Sequence, residues 1–210
     1  TVDQEAASFQ AFSTARVDET VRQMWVTNTQ VNFCARAYKT VPMDHPDAAP
    51  LSVLGGFLRN GYLHTAIREQ GGAYGGGAGH DTNIAAFRFF SYRDPRLVET
   101  LDDFDRAIEW MLGKDHEWRL VEEAILGVIS SIDKPGSPAG EARQAFHNRL
   151  HGRTLDKLQA FRQNVLAVRL DDLKRVTETY LQTDRASTAV ITNAATLEQK
   201  GDLGLDVIHL

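Results

Sequence analysis

A single cysteine, Cys34, among 210 residues excludes an internal disulfide, so burial and hydrogen bonding must hold the fold, as suits a reducing compartment. Basic residues are in the minority. There are 23 Lys and Arg against 28 Asp and Glu, a formal charge of −5. No basic run is present to neutralise a phosphate backbone, which excludes nucleic acid as the partner. No uninterrupted apolar stretch is long enough for a membrane-spanning helix, so no membrane partner is expected. The start, Thr1-Val2-Asp3-Gln4-Glu5, lacks both the basic segment and the apolar core of a signal peptide, which predicts a cytoplasmic location. It also lacks an initiator Met, so either a segment was removed or this is a piece of a longer chain.

What remains is an ordinary globular composition, 42% apolar and 24% charged. A chain of this length can bury about 70% of its unfolded surface. No Pro/Ser-rich linker divides it, and the reading is one domain over 1–210 with 1–20 as a linker-like lead-in. Residues 22–28 and 31–38 read as strands. In the second, Val31, Phe33, Ala35 and Ala37 alternate with Asn32, Cys34, Arg36 and Tyr38, the period of a half-buried strand. After prolines at 42, 46 and 50, a helix runs to about Glu69 with Leu51, Leu54, Leu58, Tyr62 and Ala66 on one face. Gly55, Gly56 and Gly61 weaken it, so it needs packing on more than one side.

Six of the 16 glycines fall between Gly71 and Gly79. With the apolar run Ile84–Tyr92 they predict a β-hairpin in the middle of the sheet, and Asp94-Pro95 reads as a helix cap plus first helical residue. Helical spacing then dominates: Leu97 to Met111, Trp118 to Ile132, a helix opened by Ser137-Pro138, another from Leu155 to Val168, and one over Asp171–Leu181. Ser187–Thr192 and Leu205–Ile208 read as strands. Strands at both ends with helices between them predict an α+β fold, a mixed sheet with helices packed against it.

The search for chemistry is mostly negative. His147 and His151 have the spacing of two zinc ligands on a helix, but no glutamate completes a metallopeptidase motif in either direction. His116-Glu117 opens such a motif, yet position 120 is Leu. The glycine cluster is no phosphate loop, since 70–94 contains no lysine. There is no Gly-x-Ser-x-Gly elbow, and Cys34 reads as a buried, inert thiol. That leaves Arg68-Glu69-Gln70-Gly71-Gly72-Ala73-Tyr74, a helix end, a glycine turn and a nearly bare strand. Taken alone, Arg68 complements its helix terminus and Tyr74 anchors the sheet. A strand of glycines also signals close approach of another backbone or a ligand.

Three runs carry a family resemblance: Asn60 to Gly77, Phe90-Ser-Tyr-Arg-Asp-Pro-Arg-Leu-Val-Glu-Thr-Leu101, and Ser130-Ser-Ile-Asp-Lys-Pro-Gly-Ser-Pro-Ala139. They resemble, in order, the C-terminal domain of the presequence protease branch of the pitrilysin/insulinase zinc metallopeptidases. The resemblance implies four homologous domains in two halves that close around an unstructured peptide. Zinc and its catalytic motif would lie in the N-terminal half, the partner of this domain within the same protein. No metal ligand and no catalytic group is then expected in this chain. Arg68 and Tyr74 would support substrate and transition state, and the backbone of Gly72, Ala73, Gly75, Gly76 and Gly77 would face the substrate. Two other outcomes stay open: an inactive scaffold subunit, or a hydrolase in its own right. For a eukaryotic source the resemblance also admits an organelle lumen.

Overall fold

The period-two pattern near the start does form strands, β1 (Arg22–Val26) and β2 (Asn32–Lys39), but β2 buries the opposite set from the apolar one. The computed structural model describes residues 19–210, so the lead-in lies outside the described residues except for Glu19 and Thr20. In β2 the buried side chains are Asn32, Cys34, Arg36 and Tyr38, while Phe33 and Ala35 face out. The polar members tolerate burial because they are paired. Arg36 forms an ion pair with Asp105, and the Asn32 amide donates to the carbonyls of Asp94 and Arg96 at 3.2 and 3.3 Å.

Helix α1 (Ala48–Leu58) is buried on nearly all sides, as its weak intrinsic propensity required. It passes without a break into a π-helix (Arg59–Gln70), so the single helix expected to Glu69 is two geometries end to end. The hairpin follows as β3 (Gly75–Asp81) and β4 (Ala86–Asp94). It lies at the edge of the sheet rather than in its middle, because β4 pairs with β2 and leaves β3 outermost.

Helix α2 (Val98–Gly113) begins three residues later than Asp94-Pro95 suggested. Asp94 is not its N-cap. One carboxylate oxygen accepts from the Arg96 N–H at 2.9 Å and the other from the Thr100 hydroxyl at 2.8 Å, an Asx turn that delays the helix. The remaining helices are α3 (Trp118–Ile132), α4 (Pro138–Leu150), α5 (Leu155–Ala167), α6 (Leu170–Tyr180) and the short α7 (Ala194–Lys200). Strands β5 (Ser187–Thr192) and β6 (Asp206–His209) complete the sheet.

The six strands run in the order β3-β4-β2-β5-β1-β6. The β3-β4-β2-β5 part is antiparallel and β5-β1-β6 is parallel, so the fold is α+β with a mixed sheet. One contiguous core joins Met24, Tyr38, Phe87, Phe89 and Val190 of the sheet to Leu54, Phe57, Phe104, Val121 and Leu173 of the helices. The other face keeps Phe33, Phe90, Tyr92 and Ile191 36–40% exposed. No helix of the described residues is long and apolar enough to cross a membrane.

Candidate functional site: the Arg68–Tyr74 turn

The π-helix ends by wrapping its last carbonyls. Gly72 N–H donates to Arg68 O and Ala73 N–H to Ile67 O, both at 3.1 Å. This closure needs a left-handed residue, supplied by Gly72 at φ +76°. Tyr74 N–H then donates to Arg93 O at 3.2 Å, placing Tyr74 one residue ahead of β3. Arg68 and Tyr74 thus flank one turn and both are exposed, Tyr74 at 63%. Among the described residues neither the Arg68 guanidinium nor the Tyr74 hydroxyl has a hydrogen-bond partner, so both donors are free for a bound group.

Tyr74 is not loose. Its ring packs on Tyr92 at 5.7 Å between centroids, and the Arg93 guanidinium lies over it at 5.6 Å. Arg93 reaches that position from a left-handed backbone at φ +49°, where the β2–β4 register slips between Asn32 and Cys34. A bulge with a non-glycine residue in that region is costly, and here it aims a cation at Tyr74.

The glycines after Tyr74 are less open than their composition suggests. A Cβ on Gly75 would fall 2.5 Å from the Tyr92 ring, one on Gly76 2.9 Å from Ile67, and one on Gly77 3.0 Å from the methylenes of Arg59. Ala73 is itself buried. The bareness of this strand therefore has a cause inside the fold, the space taken by neighbours. What β3 does present is its outer backbone edge, since only β4 pairs with it. A groove of about 360 Å³ beside that edge is lined by Arg59, Gly79, His80 and Glu123 and contains neither Arg68 nor Tyr74. Burial holds the His80 imidazole below its usual pKa, and its ring nitrogens face Ser52 Oγ and the Val41 carbonyl.

Among the described residues, no group of three or more His, Cys, Asp or Glu side chains could hold a metal ion. His147 and His151 sit at the exposed end of α4, and His116 directs Nε2 at the carbonyls of Trp110 and Met111. These residues do not fit a zinc site. Cys34 is buried, and burial pushes its thiol up to about 12, an inert thiol as expected.

Beneath the turn lie residues that sequence reasoning did not single out. The Arg96 Nη2 donates to the Ala66 carbonyl and to Asp103 Oδ2, each at 3.0 Å, and Asp103 also faces Arg106 at 3.3 Å. The only signal was that Arg96 falls in the run Phe90–Leu101, which carries resemblance but no role; Asp103 and Arg106 lie beyond that run.

Residues 22–196 match the family described as the PreP C-terminal domain. The chain is 41% identical over 152 residues to the mitochondrial presequence protease of Yarrowia lipolytica, covering 72% of this chain and 15% of that protein. It thus spans about 15% of the length of the relative it matches. Among solved structures, a protease from Helicobacter pylori superposes with TM-score 0.72 at 17% identity, over 91% of this chain and 48% of that one. A peptidase M16 inactive domain from Pseudomonas fluorescens gives 0.70 at 16%, over 88% and 46%. These two share the fold. The family match covers most of the chain and takes in all three runs that carry the resemblance. The chain belongs to the PreP C-terminal domain family, the family of the presequence proteases it matches.

Proposed function

We propose that this chain is the C-terminal domain of a zinc-dependent endopeptidase that degrades unstructured peptides, closing the chamber opposite the catalytic half and lending Arg68 and Tyr74 to the reacting peptide bond. The observation that carries this reading is the pair of unpartnered donors on one turn, in a domain whose described residues include no group that could hold a metal ion. Hydrolysis of an amide builds negative charge on the carbonyl oxygen. A phenol whose ring is already packed in place stabilises that charge with little reorganisation, and a guanidinium on the same turn adds a second donor. Zinc, held outside this chain, would supply the activated water. The residues here bind and orient: Tyr74 donates from its hydroxyl, Arg68 from its guanidinium, and the outer edge of β3 offers unpaired N–H and C=O groups to an extended chain. The free apolar face with Phe90 and Tyr92 then lines the enclosed space rather than bulk water. The relative's mitochondrial location favours an organelle lumen over the cytoplasm for a eukaryotic source.

The test is turnover of an unstructured peptide by the full-length enzyme. Tyr74→Phe should lower kcat on the order of 10- to 100-fold while leaving the thermal midpoint of this exposed position in place. Unchanged kcat would remove Tyr74 from the reaction. The second reading, a scaffold with no peptidase role, is favoured by the Pseudomonas fluorescens domain described as inactive. It predicts that neither Tyr74→Phe nor Arg68→Ala alters any turnover in the assembled protein.

A further inference from the structure

Arg96 does more than end a strand. Its main chain is held at both ends, the N–H by Asp94 Oδ1 at 2.9 Å and the carbonyl by the Asn32 amide at 3.3 Å. Asn32 is fixed in turn by the Thr192 hydroxyl at 2.6 Å, so the anchor reaches across β2 into β5. From this anchor the guanidinium extends under the π-helix. There Nη2 bridges the Ala66 carbonyl to Asp103 at 3.0 Å each. It fills the space beside Gly71 so completely that a Cβ there would lie 1.9 Å from Nη2. Ala66 and Gly71 bracket Arg68, and Gly71 opens the turn that delivers Tyr74. One planar side chain thus grips the segment on both sides of the residues assigned to the substrate.

We propose that Arg96 is a positioning residue for the peptidase reaction: its guanidinium, clamped by Asp103, sets the register of the Arg68–Tyr74 turn against the peptide bond. This rests on the role given to Arg68 and Tyr74 above. A cation at a helix C-terminus is favourable anywhere, and a lysine serves that purpose as well as an arginine. Here Nη2 alone makes both contacts while the guanidinium fills the space beside Gly71, a fit of length and planar shape that a lysine ammonium does not reproduce. Losing that fit frees the turn to shift, and a displacement of about 1 Å costs on the order of 100-fold in rate.

The experiment uses the full-length, metal-loaded enzyme and a fluorogenic unstructured peptide. Arg96→Lys should lower kcat about tenfold, with KM changed less than about threefold and metal content unaltered, since only part of such a displacement is expected. The decisive measurement repeats Arg96→Lys in the Arg68→Ala/Tyr74→Phe background. There it should have no further effect, because nothing remains to be positioned. A general loss of folded enzyme would instead multiply through both backgrounds and would overturn the proposal. Full turnover in Arg96→Lys, with Tyr74→Phe impaired, overturns it while leaving the roles of Arg68 and Tyr74 intact. Full turnover in Arg68→Ala/Tyr74→Phe overturns both. If Arg96→Lys does not fold, Asp103→Asn, which keeps the shape and removes the charge holding the clamp, is judged by the same two backgrounds.

Discussion

The segment from Ala66 to Thr100 and helix α4 lie in one chain and are built on opposite principles. Under the Arg68–Tyr74 turn, charged groups are buried and densely paired: Asp94 is 0% exposed and both its oxygens accept hydrogen bonds, although Arg96 Nε is buried without a hydrogen-bond partner. Helix α4 has no buried residue, and its apolar Phe146 and Leu150 stand 61% and 65% exposed. Its stability is local. Ser137 Oγ accepts from the Gly140 N–H at 3.2 Å, and Pro138 opens the first turn. Buried, satisfied polar networks specify one arrangement, whereas a solvated helix specifies little beyond itself. The domain spends its precision beneath the turn that holds the two free donors.

That contrast can be broken at its strong end first. Asp94→Ala strands the Thr100 hydroxyl and the Arg96 N–H in the interior and should destabilise the protein by about 3 kcal/mol or more. Urea unfolding measures it, and a loss under about 1 kcal/mol would mean the network is ornamental.

A smaller effect comes with alkali. Burial pushes the Cys34 thiol from 9.0 and the Tyr38 phenol from 10.0 up to about 12 each, both on the inner face of β2. Raised acids keep their protons in the folded state and release them on unfolding. Their stabilisation is therefore complete below pH 9 and is lost as pH rises from 9 towards 12. Denaturation midpoints across that range should fall, and Cys34→Ala should flatten the early part of the decline.

The weakest effect belongs to α4. Ser137→Ala removes its cap bond and should cost about 1 kcal/mol locally. Amide exchange should quicken in 138–150 while the global unfolding midpoint stays put, because α4 buries nothing that the core depends on. A drop in the global midpoint would show α4 coupled to the frame and erase the distinction.

The same contrast explains what could be read without a structure. Helices α2 and α3 were legible because their stripes pack on a core that local spacing describes. Ser137-Pro138 announced α4 because its stability is local. The inner face of β2 was not legible. Arg36 and Asn32 look like outward residues, and their partners Asp105 and Asp94 lie 69 and 62 positions away. The hairpin read as central because β4 is so apolar, but strand order depends on pairings that no local run encodes. Helix α2 began late because a carboxylate favoured its own Asx turn over capping. At the site, Arg68 and Tyr74 were visible through resemblance, while Arg93 and Arg96 were not. The first depends on a bulge and the second on a carbonyl 30 residues upstream.

The parallel end of the sheet carries a mechanical consequence. Strand β1 starts the described sheet and β6 finishes it, and they pair directly, with Met24 beside Val207 and Val26 beside His209. Because they point the same way, tension applied between residues 22 and 209 pulls them along their length in opposite senses. All their bridging hydrogen bonds are loaded together, in shear, rather than peeled one at a time. Force entering this domain through residues 22 and 209 thus meets the sheet where it resists most.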